Sequence, residues 1–319
     1  MRVGVVGVGG WGKNHLRVLK ELEALASFCD IDEKKVGLYS RKYGVNGYTS
    51  MEEMLRDERL DAVVIATPTK THFELAKKAL EKGLHTFVEK PFTGSYELGK
   101  KLVSLADERG VILGVGYIER FNPAVRRLKE LIESGVLGSP LLLQFRRENR
   151  LPIRIKDVGI ILDTSVHDID TARWLLGEEP REVYARAGGV NGKFEEFAAI
   201  ILNYEGIKTA FITSNWITPK KVRKLVAVFT GGVVDLDFIT QEVVIEREGE
   251  TVIPRMAKEE PLALELKHFL DCVEEGVEPI NSGRDCLNTT LIAEIALKSA
   301  KEDLPMKIDL KSRGQVGEV

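Results

Sequence analysis

Cysteine is scarce in this chain of 319 residues: Cys29, Cys272 and Cys286 are odd in number, far apart and unspaced for zinc. Neither a disulfide framework nor a metal knuckle is supported, and a reducing compartment is the natural setting. Charge of one sign is lacking too. With 46 basic and 49 acidic residues the formal net charge is -3, no field for gripping a polyanion, so nucleic acid is not an expected partner. No apolar run approaches the roughly 20 residues of a spanning helix, so a membrane is not expected as a partner either. The opening Met1-Arg2-Val3-Gly4-Val5-Val6-Gly7 enters an apolar strand at once, leaving no room for the regions of a signal peptide; a cytoplasmic protein is expected. Only three glutamines (Gln144, Gln241, Gln315) stand against abundant Lys, Glu, Val and Ile, a balance that leans toward a thermophilic source.

What is present reads as globular: 44% hydrophobic and 30% charged residues, in a chain long enough for two cores. Over the first 117 residues short apolar runs alternate with amphipathic stretches of helical length, the pattern of parallel strands joined by crossover helices. Strands are predicted near 2-6, 24-29, 61-66, 84-88 and 111-116, with helices near 11-22, 32-42, 70-82 and 95-109. After Tyr117 the rhythm changes. Asn122-Pro123 opens a helix to about 133, and successive strands follow near 141-148, 181-189, 197-204, 207-215, 224-230, 233-237, 242-246 and 251-253. Such neighbouring strands predict an open, mostly antiparallel sheet, flanked by helices near 163-176, 261-275 and 284-301. The expected fold class is α/β, with a doubly wound parallel sheet over 1-117, a substrate-binding and oligomerisation domain over 118-310 and a flexible tail over 311-319.

The strongest local motif is Gly7-Val8-Gly9-Gly10-Trp11-Gly12, a G-x-G-x-x-G between a strand and a helix. Glycines there permit the tight turn, the approach of a pyrophosphate to the backbone and close helix packing, and the helix N-terminus faces the phosphates. Asp30 ends the second strand 18 residues beyond Gly12, where a carboxylate accepts from an adenosine ribose and repels a 2'-phosphate. NAD is thus favoured over NADP, although Lys34 and Lys35 are near. The third strand ends in Ala66-Thr67-Pro68-Thr69-Lys70-Thr71-His72 and the fourth in Glu89-Lys90-Pro91. Both carboxyl ends face the cofactor crevice of an open α/β sheet. Thr69 reads equally as a helix N-cap, Lys90 equally as a surface ion pair, and His72 is a candidate for lining the crevice. His15, His85 and His268 read as packing or surface residues.

In the second half, a helical reading puts Asp163, His167, Asp170 and Trp174 at i, i+4, i+7 and i+11 on one polar and aromatic stripe. An aspartate one turn from a histidine can fix its tautomer and stabilise the imidazolium, as a general base near neutral pH requires. No further His or Cys stands at ligand spacing, so no metal is expected. Just upstream, Arg146, Arg147, Arg150, Arg154 and Lys156 crowd together against Glu148 alone. Forked guanidinium groups suit a pyrophosphate, whereas a solvated loop face is the plainer reading.

Together, Gly7 to Gly12, Asp30, Ala66-Thr67-Pro68, Glu89-Lys90-Pro91 and Asp163-x-x-x-His167 followed by Asp170 resemble the Gfo/Idh/MocA oxidoreductases over nearly the whole chain. The resemblance implies a Rossmann domain followed by an α/β domain, an active site between them, assembly into dimers or tetramers through the sheet faces, and oxidation or reduction of a secondary alcohol on a sugar or cyclitol. It makes Lys90 the catalytic lysine, His167 the acid or base, Asp163 its partner on the substrate hydroxyls, and the peptide before Pro91 cis. Asp163 to Asp170 is similar to the motif of inositol dehydrogenases and to that of UDP-N-acetylglucosamine 3-dehydrogenases. Val158-Gly159 keeps one of the two glycines many members have there. Arg120-Phe121-Asn122-Pro123 is similar to the nucleotide-sugar branch, making Arg120, Asn122, Arg150 and Arg154 candidate substrate ligands. The expected activity is NAD-dependent oxidation of a UDP-sugar, with an inositol as the alternative substrate and a non-catalytic dinucleotide sensor as the alternative of another class.

Overall fold

A computed structural model describes residues 1-150, 158-190 and 194-309. It divides into two compact units, Met1–Ile118 with Glu260–Leu287, and Glu119–Glu259 with the chain from Asn288 onward. The division departs from 1-117 and 118-310 in one respect: a late segment returns to the first unit. The predicted tail, 311-319, lies outside the described residues.

The first unit runs β1 (Val3–Val6), α1 (Gly12–Glu21), β2 (Leu25–Cys29), α2 (Glu33–Tyr43), β3 (Asn46–Tyr48), α3 (Met51–Asp57), β4 (Ala62–Ile65), α4 (His72–Glu81), β5 (His85–Glu89), α5 (Tyr96–Arg109) and β6 (Leu113–Gly116). Its six strands are all parallel, in the order β3-β2-β1-β4-β5-β6. Both faces of the central strands are covered, which is why Val-Gly-Val-Val and Ala-Val-Val-Ile are near-continuous apolar runs without alternation. The order reverses direction between β1 and β4, so the loops after these strands flank the switch point where such sheets bind ligands.

Next come α6 (Pro123–Ser134), β7 (Pro140–Glu148), α7 (Val166–Leu176), β8 (Glu182–Gly188), β9 (Phe197–Asn203), β10 (Thr209–Asn215), β11 (Val222–Phe229), β12 (Gly232–Asp237), β13 (Glu242–Arg247) and β14 (Glu250–Val252). Then follow α8 (Pro261–Glu275), α9 (Gly283–Glu302) and β15 (Met306–Lys307). Among the described residues the second sheet has nine strands in the order β14-β13-β12-β11-β7-β10-β9-β8-β15. Of these only β7 and β10 pair in parallel, so the sheet is mostly antiparallel, as the sequence pattern predicts. Alternate residues such as Ile200, Leu202, Ala210 and Ile212 are buried beneath the helices, while Phe197 and Phe211 on the opposite face stay exposed.

The returning helix is α8. Its Leu262, Leu266, Phe269 and Leu270 join Val3, Val5, Leu16, Leu19 and Phe87 in one core, and the Phe269 ring meets Phe87 edge-on at 5.4 Å. β3 and α3 were not legible in the sequence. Gly47, in the middle of β3, is pressed so closely that a Cβ there would meet Phe28, Val36 and Ser40 within 3 Å.

Candidate active site

At the dinucleotide end, Gly7 takes φ +86°, and a Cβ on Gly12 would lie 2.0 Å from the Gly7 carbonyl oxygen. These two glycines are required by the turn itself. Gly9 differs: a Cβ there would meet nothing within 4 Å, so its bareness leaves space beside the loop. Gly10 and Trp11 are exposed. The helices α2, α3, α5 and α6 are capped by Asp32, Ser50, Ser95 and Asn122, whereas α1 has no side-chain cap and no acidic residue in its first turn. An open helix N-terminus beside bare backbone fits a pyrophosphate.

Asp30 holds this loop directly. Its Oδ2 accepts from the Val8 N–H at 2.8 Å and its Oδ1 from the Asp32 N–H at 3.0 Å, with Lys35 Nζ at 3.5 Å. A carboxylate offers about four acceptor sites, so capacity remains for a ribose diol.

Glu89 is the hub on the other side. Its Oε1 accepts from Trp11 Nε1 and meets His15 Nε2, each at 2.7 Å, and its Oε2 accepts from the Lys90 N–H at 3.2 Å. Gly116 makes room for the carboxylate, since a Cβ there would come within 3.1 Å of it. Burial alone would raise the Glu89 carboxyl; the His15 hydrogen bond and charge, Lys90 and Trp11 outweigh it and hold the group below its ordinary value. His15 is therefore not a bland packing residue. Lys90 follows, half-buried, and the Lys90-Pro91 peptide is cis, as the resemblance implies.

His72 does not line the crevice. It is buried, with Nδ1 3.0 Å from the Pro91 carbonyl and Nε2 2.9 Å from the Thr67 carbonyl, tying the loops after β4 and β5 together. Burial lowers its pKa despite those two acceptors. Thr67 is half-buried, Pro68 exposed and Thr69 buried. Thr69 is not the N-cap of α4: Thr71 occupies that position, its hydroxyl donating to the Pro68 carbonyl at 2.7 Å and lying 2.8 Å from Thr67 Oγ1.

In the second unit, Ile161–Ser165 forms a π-helical turn that runs straight into α7, so Asp163 lies on a wider turn than a uniform helix gives. Glu195 fixes its start, accepting from the Ile160 N–H through its carbonyl at 3.0 Å and from the Ile161 N–H through Oε1 at 3.3 Å. This explains Gly159, where a Cβ would fall 2.1 Å from the Glu195 carboxyl. Thr164 donates to Asp163 Oδ2 at 3.1 Å and accepts from the indole N–H of Trp216 at 3.1 Å. Asp163 and His167 are half-buried.

Their acidic neighbours are not accessible. Asp170 leaves the predicted stripe for the interior, accepting from Arg120 at 2.6 and 2.8 Å and from Thr289 at 2.9 Å. Asp168 accepts from Arg147 at 2.8 and 3.0 Å, and Arg147 also reaches Glu119 at 3.0 Å. Burial raises the Asp168 carboxyl against the pull of Arg147.

Two expected substrate ligands, Arg120 and Asn122, are engaged inside this network instead. Arg120 is 1% exposed with its fork engaged by Asp170. Asn122 is equally buried and spends its amide on Glu119, the Phe238 carbonyl and the cap of α6. Arg154 lies outside the described residues, as does Lys156. In the basic stretch Arg146 and Arg150 are both exposed, and Arg146 pairs with Glu148 at 2.7 Å. Among the described residues no three His, Cys, Asp or Glu side chains group as a metal site, and no helix is long and apolar enough to cross a membrane.

Residues 1-117 match the model of the oxidoreductase family with an NAD-binding Rossmann fold, and residues 125-235 match the Gfo/Idh/MocA C-terminal domain. The scyllo-inositol 2-dehydrogenase (NAD(+)) of Bacillus subtilis is 30% identical, over 98% of this chain and 97% of its own. The chain belongs to the Gfo/Idh/MocA family. It is an oxidoreductase with a nicotinamide-dinucleotide domain. Another relative, the UDP-N-acetylglucosamine 3-dehydrogenase of Acidithiobacillus ferrooxidans, is 28% identical over 86% of this chain and 88% of its own. A crystal structure of that enzyme superposes with a TM-score of 0.88 at 26% identity, covering 95% of this chain and 98% of the other.

Proposed function

We propose that the chain is an NAD-dependent dehydrogenase acting on a secondary alcohol of a nucleotide sugar, with UDP-N-acetylglucosamine the first candidate. One observation carries the chemistry: around the start of α7 the buried acids Asp168 and Asp170 are paired with arginines, whereas Asp163 and His167 remain half-exposed. Their presence one turn apart suits removal of a hydroxyl proton.

In this reading an imidazole nitrogen of His167 takes the hydroxyl proton, Asp163 orients the sugar hydroxyls, and the Lys90 ammonium stabilises the oxygen as negative charge develops. Gly7 to Gly12, Asp30 and the Thr67-Pro68 turn hold the cofactor, which when bound supplies hydride acceptance or donation. Asp30 supports NAD over NADP. Arg150 and the 28% identical relative support the nucleotide sugar; the 30% identical inositol dehydrogenase supports a cyclitol as the second reading. Retention of Lys90, Asp163 and His167 together speaks against a sensor without catalysis. The exposed Phe197 and Phe211 on the uncovered sheet face support a homodimer or homotetramer.

Replacement of His167 or Lys90 by alanine is expected to lower kcat by about 10²- to 10⁴-fold with NAD binding retained, read from NADH formation and an NAD titration. Full activity in both variants would overturn the assignment.

A further inference from the structure

Arg223 on β11 is paired directly with Arg147 on β7, so in this antiparallel register the two side chains rise from the same face of the sheet, the one that carries α7. Their fates differ. Arg147 is buried and its fork is engaged by Asp168 and Glu119. Arg223 is half-buried, and among the described residues its guanidinium donates no hydrogen bond and has no carboxylate within ion-pair distance. Asp168 and Glu119, two carboxylates within electrostatic reach of Arg223, are bonded to its neighbour Arg147.

A guanidinium carries five N–H donors, and leaving them unmet in a partly dry setting is costly. Burial, and then the adjacent Arg147 charge, press Arg223 below its ordinary value, while Glu119, Asp168 and Asp163 pull the other way. Asp163 is thus within electrostatic reach of Arg223, in the same unit as His167. A cation held in this state beside candidate reacting groups is a mark of a binding position.

We propose that Arg223 is a substrate-specificity residue that receives an oxyanion of the substrate, a phosphoryl group in the nucleotide-sugar reading, on which the inference rests. The planar fork matches two oxygens of such a group at once, which a lone sugar hydroxyl does not offer. The fork of Arg120, by contrast, is consumed internally by Asp170.

The test is initial-rate kinetics of wild type, Arg223→Ala and Arg223→Lys with UDP-N-acetylglucosamine, a sugar phosphate, a uronic acid and myo-inositol, with thermal unfolding as the check on folding. For the anionic substrate that the wild type uses, Arg223→Ala is expected to raise KM roughly 10- to 100-fold with a much smaller change in kcat and none in KM for NAD. Arg223→Lys recovers part of the loss. The phosphate and carboxylate arms tell which oxyanion is read. Wild-type turnover of the UDP-sugar with an unchanged KM in Arg223→Ala would overturn this inference alone. An equal rise for neutral and anionic substrates would make Arg223 a counter-ion within the unit and overturn it too. If the wild type used only myo-inositol, the nucleotide-sugar reading would fall and this inference with it.

Discussion

The dinucleotide unit presents bare backbone: Gly7 and Gly12 fit because nothing larger can, and the α1 N-terminus is left uncapped. The second unit presents side chains selected from a dense ionic network, in which Asp168, Asp170, Arg120 and Arg147 are buried while Asp163, His167 and Arg223 stay half-exposed. The contrast shows that a backbone-built site is written in adjacent residues. A side-chain-built site is written in pairings between distant ones.

The sharpest way to break this comparison is Asp168→Ala. If the ionic network is what frames the second unit, removing one partner of a buried pair costs about 3-5 kcal/mol and lowers the thermal midpoint, with NAD affinity preserved. A stability loss under 1 kcal/mol would show that Asp168 is dispensable to the frame.

Gly12→Ala should act on the other side. A Cβ 2.0 Å from the Gly7 carbonyl cannot be accommodated without moving the loop, so strain of about 1-3 kcal/mol should appear as weaker NAD binding in a fluorescence titration. Unchanged NAD affinity would contradict the backbone account.

The smallest effect is a pH dependence. Glu89 in the folded chain lies below its ordinary value of 4.5, so on acidification the unfolded chain binds the proton first. The Glu89 contribution to stability is present above the ordinary value and is lost as pH falls through the lowered folded one. Glu89→Gln should therefore flatten the acid limb of a plot of thermal midpoint against pH from 7 to 3. An acid limb as steep as in the wild type would remove Glu89 from the hub.

This contrast also explains what the sequence disclosed. The glycine loop and Asp30 were legible because spacing along one strand-turn-helix unit sets their geometry. Glu89 and Lys90 stood out by their place at a strand end, but nothing nearby announced that Trp11 and His15, 78 and 74 residues away, would converge on Glu89. Arg120 and Asn122 were misplaced as ligands because their partners lie 50 and 116 residues downstream, at Asp170 and Phe238. The π turn under Asp163 was hidden for a similar reason: Glu195, which fixes its start, is 34 residues beyond Ile161. Arg223 was silent in the sequence, because its standing depends on strand register with Arg147.

The most direct measurement is NADH absorbance with the purified chain, NAD and a panel of UDP-sugars, free sugars and inositols. The account predicts turnover of a UDP-sugar, UDP-N-acetylglucosamine first, and little with inositols. Turnover of an inositol with UDP-sugars ignored would contradict the substrate assignment. Tight NAD binding with no hydride transfer across the whole panel would contradict the catalytic role itself.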